Sequence, residues 1–126
     1  MRAYEYYNKA LTEATNNNNT IQKGHALNNL GRLYLNQGNF LDSYNSYFEA
    51  QKLFEKVNDQ DGLSYTYKSL SELYQTQKDF NKALFMAQKS YDIRVETNNV
   101  RGQISALIEI ASIYDLMGSF DLAFDH

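Results

Sequence analysis

Three short stretches spaced forty residues apart constrain this chain more than any other feature. Leu-Gly-Arg-Leu-Tyr at 30–34 recurs as Leu-Ser-Glu-Leu-Tyr at 70–74 and as Ile-Ala-Ser-Ile-Tyr at 110–114. The agreement extends outward: Phe40, Phe80 and Phe120 keep one offset, Asn39, Asp79 and Ser119 precede them, and Gly62 pairs with Gly102. A period of this length marks a stacked-repeat architecture, in which each unit buries its apolar face only against its neighbours.

The matching positions identify the unit. Leu27, Leu30 and Tyr34 stand three and four residues apart, the spacing of one helical face. Tyr67, Leu70 and Tyr74 repeat that face, and so do Leu107, Ile110 and Tyr114. Asn39, Asp79 and Ser119 are N-cap types able to accept from the free N–H groups of a helix start. After the first of them Phe40, Ser43, Tyr47, Ala50, Phe54 and Val57 form a second apolar face; the next copy, from Phe80 to Arg94, is less apolar. Each unit therefore reads as two antiparallel helices joined by a tight turn near Gln37-Gly38. Small residues recur where such helices approach closely: Gly31, Ser71 and Ala111 in the first helix, Ser43, Ala83, Ala50 and Ser90 in the second. The chain has no proline to interrupt these helices.

This pattern resembles the tetratricopeptide repeat, whose motif runs Leu, small residue, Tyr, then Ala, aromatic, Ala. Leu30, Gly31, Tyr34, Ser43, Tyr47 and Ala50 meet it with Ser43 in place of Ala; the second unit has Ser71 for Gly and Ala87 for the aromatic. The usual Trp is Leu27, Tyr67 or Leu107, the closing Pro is missing, and the period is forty. That longer form is similar to the repeats of kinesin light chains, spindle-orientation scaffolds, bacterial peptide-sensing regulators and sensor histidine kinases. The resemblance covers the whole chain and implies an all-α, right-handed solenoid of antiparallel helix pairs.

With that period, residues 1–15 match a second helix whose partner is missing, 23–57 and 62–97 are complete repeats, and 102–126 is a partial one. Its first helix is expected from Gly102 to about Leu116, followed by a second helix in which the sequence stops. Asn16 to Asn19 read as a solvated connector. The ends carry Tyr4, Tyr7, Leu11, Leu122 and Phe124 where a terminal repeat is normally polar. An excerpt of a longer protein is expected, with self-association through uncapped ends as a further expectation.

Catalysis is not expected. His25 and His126 are far apart, cysteine is absent, and no metal-ligand spacing or phosphate-binding glycine loop occurs, so neither metal nor cofactor is expected. A net charge of −3 without a basic stripe argues against nucleic acid. No apolar run is long enough to insert in a membrane and no secretory leader opens the chain, so a cytoplasmic location is expected.

The resemblance implies that first helices line a concave groove used for protein or peptide ligands. By helical offset its residues are His25, Asn28, Asn29, Arg32 and Asn36, then Tyr65, Lys68, Ser69, Glu72 and Thr76, then Ser105, Ile108, Glu109, Ser112 and Asp115. In long-period relatives an Asn at the place of Asn29 holds ligand main chain, and the resemblance assigns that role to Asn29. Tyr65 and Ile108 read as apolar anchors; Arg32, Lys68 and Glu72 read equally as ligand contacts or as pairs between neighbouring helices. A clamp for a chaperone's C-terminal carboxylate is disfavoured, since Arg32 alone is basic among its places and Glu109 repels the carboxylate. The expected function is a non-catalytic interaction module, a scaffold of the signalling kind. The alternative is a structural or dimerising segment acting in cis within a bacterial signalling protein such as a sensor histidine kinase or cyclase.

Overall fold

A computed structural model describes residues 2–16 and 19–125. Asn17, Asn18 and His126 lie outside the described residues, as do the side chains of Phe120, Leu122, Ala123 and Phe124. Six helices follow one another among the described residues: α1 (Arg2–Asn16), α2 (Thr20–Asn36), α3 (Phe40–Val57), α4 (Gln60–Thr76), α5 (Phe80–Glu96) and α6 (Val100–Asp125). Each packs on the next in the chain, and α2 also touches α4, so first helices form one layer of an all-α solenoid and second helices the other.

Two adjacent residues build each of the turns from α2 to α6. The first takes the left-handed conformation: Gly38 (φ 77°), Asn58 (φ 56°), Lys78 (φ 63°) and Asn98 (φ 55°). The second is an Asn or Asp whose side chain caps the next helix: Asn39, Asp59, Asp79 and Asn99 accept from the backbone N–H groups of Asp42, Gly62, Lys82 and Gly102. The left-handed residue closes the preceding helix through paired bonds, as where Asp79 N–H donates to Tyr74 C=O at 2.9 Å and Lys78 N–H to Gln75 C=O at 3.0 Å. Asn39 and Asp79 cap as their sequence predicts. Asn19, read as connector, caps α2 by accepting from Gln22 N–H at 3.1 Å. The series Asn19, Asp59, Asn99 also has the forty-residue spacing, and that was the available signal.

Lys78 holds a left-handed backbone without being glycine, while its equivalent in the preceding hairpin is Gly38. A Cβ there costs about 1–2 kcal/mol, partly offset by the freedom glycine has in the unfolded chain. Lys78→Gly is expected to stabilise by roughly 0.5–1 kcal/mol, read as a higher urea midpoint with unchanged slope.

The core lies between the layers. Leu27, Tyr47, Phe54, Tyr67, Leu70 and Leu73 are its buried centre, and Leu11 of α1 packs on its edge. Leu73 and Ile113, forty residues apart, are fully buried and were missed as a core column. Gly31 is where α2 meets α3: a Cβ there would lie 2.5 Å from Cε1 of Tyr47, and its carbonyl accepts from Ser43 Oγ at 2.7 Å. In the next hairpin Ser71 and Ala87 hold these positions, a larger residue facing a smaller one.

The final repeat departs from expectation. Gly118-Ser119 has the turn-and-cap chemistry of the earlier links, yet both residues lie inside α6, which runs unbroken to Asp125. Continuing a helix adds one hydrogen bond per residue, whereas a turn must be offset by packing of a second helix. Leu107 and Tyr114, expected on a packing face, are 49% and 60% exposed, while Leu27 and Tyr67 at the first position are buried in the core. The described part of α6 instead packs on α5 through Ile110, Ile113 and Met117.

Candidate functional site

The layer formed by α2, α4 and α6 presents most of the expected groove residues, but not all of them to solvent. His25, Arg32, Asn36, Ile108 and Ser112 are exposed, as are Thr76, Ser105 and Asp115; Asn29, Tyr65, Lys68, Glu72 and Glu109 are half-buried. Asn28 and Ser69 are corrections: at 2% and 3% exposure both are buried. Asn28 is turned into the seam between α2 and α4, where its Oδ1 lies 3.1 Å from the Thr66 hydroxyl and its Nδ2 is buried without a partner. A helical offset states only which arc of the cylinder a residue occupies. The contact of α2 with α4 takes part of that arc out of solvent.

Contacts between neighbouring first helices organise the open part. Arg32 Nη2 donates to the Tyr65 hydroxyl at 2.8 Å, with its guanidinium carbon 5.9 Å from the ring centroid. The inter-helix partner of Arg32 is thus an aromatic ring. His25 packs on Phe54 with ring centroids 5.1 Å apart. Ile108, 62% exposed, is an apolar side chain open to water on this layer.

Glu109 is a partly buried carboxyl that is incompletely satisfied. Burial raises its pKa, the Glu72 carboxylate adds to the effect, and a bond from Ser71 and the charge of Lys68 oppose it; its Oε1 is buried without a hydrogen-bond partner. A carboxyl with a native pKa above its unfolded one binds its proton more tightly in the folded state. Its effect is therefore absent in acid and becomes a penalty as pH rises from the ordinary glutamate range through the raised value. Glu109→Gln is expected to raise Tm at neutral pH and to leave it unchanged below the ordinary glutamate range. Equal melts at both pH values would show that Glu109 is not so perturbed.

Two clefts open where a second helix meets the next first helix. One, between α1 and α2, has a volume of about 310 Å³ and is lined by Ala10, Ala14, His25, Ala26 and Asn29, among others. The other lies between α4, α5 and α6, has about 90 Å³, and is lined by Ser90, Arg94, Ser105, Ala106 and Glu109 with Tyr65 and Lys68 at its side. These are the same repeat positions: Ala14 and Arg94, Ala26 and Ala106, and Asn29 and Glu109 each stand eighty residues apart. Halfway between them the equivalent positions are Ala50, Phe54, Thr66 and Ser69, all buried. Phe54 fills that middle place, its ring wedged between Gly24 and Gly62, where any Cβ would collide with it. The Arg94 stem lies over Gly102 in the same way, and its guanidinium reaches Asp61 at 3.5 Å. Sequence reasoning listed residues of the clefts without the clefts, because it treated first helices alone while each cleft needs a second helix as its wall.

The family model described as "Tetratricopeptide repeat" matches residues 22–96. No curated protein matches the chain. Among solved structures, the crystal structure of BtubC (BKLC) from P. vanneervenii superposes with a TM-score of 0.79 at 21% identity, covering 94% of this chain and 50% of that one. The chain thus spans half the length of that protein, and at this identity the likeness is one of fold.

Proposed function

The chain belongs to the tetratricopeptide repeat family, whose repeats generally mediate protein–protein contact without catalysis, and from that premise we propose that it binds an extended segment of another protein along the α2–α4–α6 layer. The observation that carries this reading is the recurrence of one cleft at equivalent repeat positions, open on both sides of the filled middle place. The side chains lining it are mixed in character: the amide of Asn29 and the apolar Ala26 at one place, the charges of Lys68 and Glu109 and the apolar Ala106 at the other. Amides and hydroxyls can both donate to and accept from an extended main chain. No helix among the described residues is long and apolar enough to cross a membrane.

Affinity capture from lysate of the source cell tests this, with the domain as bait beside a variant carrying Asn29→Ala and Arg32→Ala. Asn28 is left intact because its removal would disturb the seam rather than the groove. Partners retained by the bait and lost by a variant of equal helicity support groove binding. Equal capture by both places the contact elsewhere on the molecule.

A further inference from the structure

Helix α6 is apolar on more than the side it packs. Ile110, Ile113 and Met117 rest against α5 and its surroundings. On another side Ile104, Leu107 and Tyr114 are about half exposed or more, with Ala111 open between them. From Ile104 to Gly118 the charged residues are Glu109 and Asp115 alone. A surface helix keeps one apolar face and a polar one opposite it, and α6 departs from that pattern. Its exposed stripe amounts to roughly 300–400 Å² of apolar surface, a size at which a patch marks an interaction site.

The same repeat positions in α2 and α4 are Gly24, Leu27 and Gly31, and Ser64, Tyr67 and Ser71, all buried. Their second helices come close at the first of these positions. A Cβ at Gly24 would stand 2.6 Å from the Phe54 ring, and Ser64 Oγ lies 3.0 Å from Ser90 Oγ. Ile104 sets a branched side chain in that place, so α6 is not shaped to receive a second helix as α2 and α4 do. Residues 119–125, which would have to fold back over the stripe, continue α6 instead. Helix α1 of a second copy fits no better. Ala111 would meet its Tyr7 as Gly31 meets Tyr47, where a Cβ stands 2.5 Å from the ring.

A second α6 matches the stripe. Ile104 and Gly118 stand at equal distances on either side of Ala111 in the sequence. Two antiparallel α6 helices with Ala111 on the two-fold axis therefore set Ile104 of each over Gly118 of the other. No atom lies within 4 Å of where a Gly118 Cβ would be, which leaves room for the isoleucine. Leu107 and Tyr114 fall on one side of the seam, so each meets the other's counterpart, and alanine against alanine lets the helices approach. We propose that two copies of this chain associate through antiparallel α6 helices centred on Ala111, one patch serving both partners. With its polar rim such a seam covers roughly 1,000 Å² over both copies, the lower limit for a specific interface, which makes the dimer weak and reversible. The stripe occupies a different arc of α6 from Glu109 and Ser112, so this inference stands apart from the groove-binding reading.

Sedimentation equilibrium on the whole chain tests the association. The average mass of the wild type is expected to rise from 14.6 kDa towards twice that value as concentration increases, over a range reaching about 500 µM for a weak interface. Gly118→Leu separates association from folding. Leucine is the better helix former and meets nothing in its own chain, so the dilute variant should keep or increase its helicity. The added side chain takes the room of the second copy's Ile104 and should weaken the dimer at least about tenfold. Introduced cysteines locate the seam, because the chain has none of its own. Ala111→Cys, on the axis, is expected to cross-link under mild oxidation, since a disulfide needs Cα atoms within about 7 Å. Ala3→Cys, exposed on α1, is expected to stay monomeric. Wild-type protein that keeps the monomer mass throughout overturns the inference. So does a Gly118→Leu variant that dimerises as tightly as wild type. Cross-linking through Ala3→Cys in place of Ala111→Cys also overturns it, by moving the association to α1.

Discussion

Gly31→Leu is expected to destabilise the chain by at least about 3 kcal/mol, the upper range for overpacking a filled interface. The first added atom is already forbidden, since a Cβ at Gly31 would stand 2.5 Å from the Tyr47 ring, which is 1% exposed and has nowhere to move. Small domains have about 5–15 kcal/mol of stability in all, so a urea melt should show a large fall in midpoint or no folded baseline. The second hairpin suggests the rescue, because Ser71 faces Ala87 where Gly31 faces Tyr47. Gly31→Ser with Tyr47→Ala should therefore be more stable than the sum of the single changes predicts, by about 1 kcal/mol or more for residues in direct contact. Strict additivity would show that the two positions do not share one space.

Phe54→Ala is expected to cost about 3–5 kcal/mol, the range for truncating a buried aromatic. The upper end is expected on physical grounds. Residues flanking a cavity limit its cost by moving into it, and here two of the walls are Gly24 and Gly62, which have no side chains to move. Arg94→Ala at the equivalent position should cost much less, because the Arg94 side chain is 18% exposed and its ion pair is with Asp61, whose side chain is 80% exposed. Equal losses for the two variants in denaturant melts would contradict the difference between a filled and a narrowed cleft.

Much of the fold was legible because a repeat states the same local chemistry more than once. Leu27, Leu30, Tyr67 and Leu70 are buried as their spacing predicts, and Asn39 and Asp79 cap the helices they precede. Less of the site was legible. Asn28 and Asn29 are adjacent amides on one helix, yet the first is buried against Thr66 and the second lines a cleft. That difference depends on where α4 lies, which no property of α2 contains.

The period, the helical faces, the caps and the family they indicate were determined by the sequence alone, since each depends on residues within a few turns of one another. Tertiary structure decided what depends on a distant neighbour. It withdrew Asn28 and Ser69 from solvent, left Glu109 half-buried with an unpartnered oxygen, and filled the middle cleft with Phe54. It also carried α6 straight through Gly118-Ser119. The residues there favour a turn, but a turn forms only when a following helix covers the apolar face it exposes. Coverage is a property of the packed molecule, not of the turn.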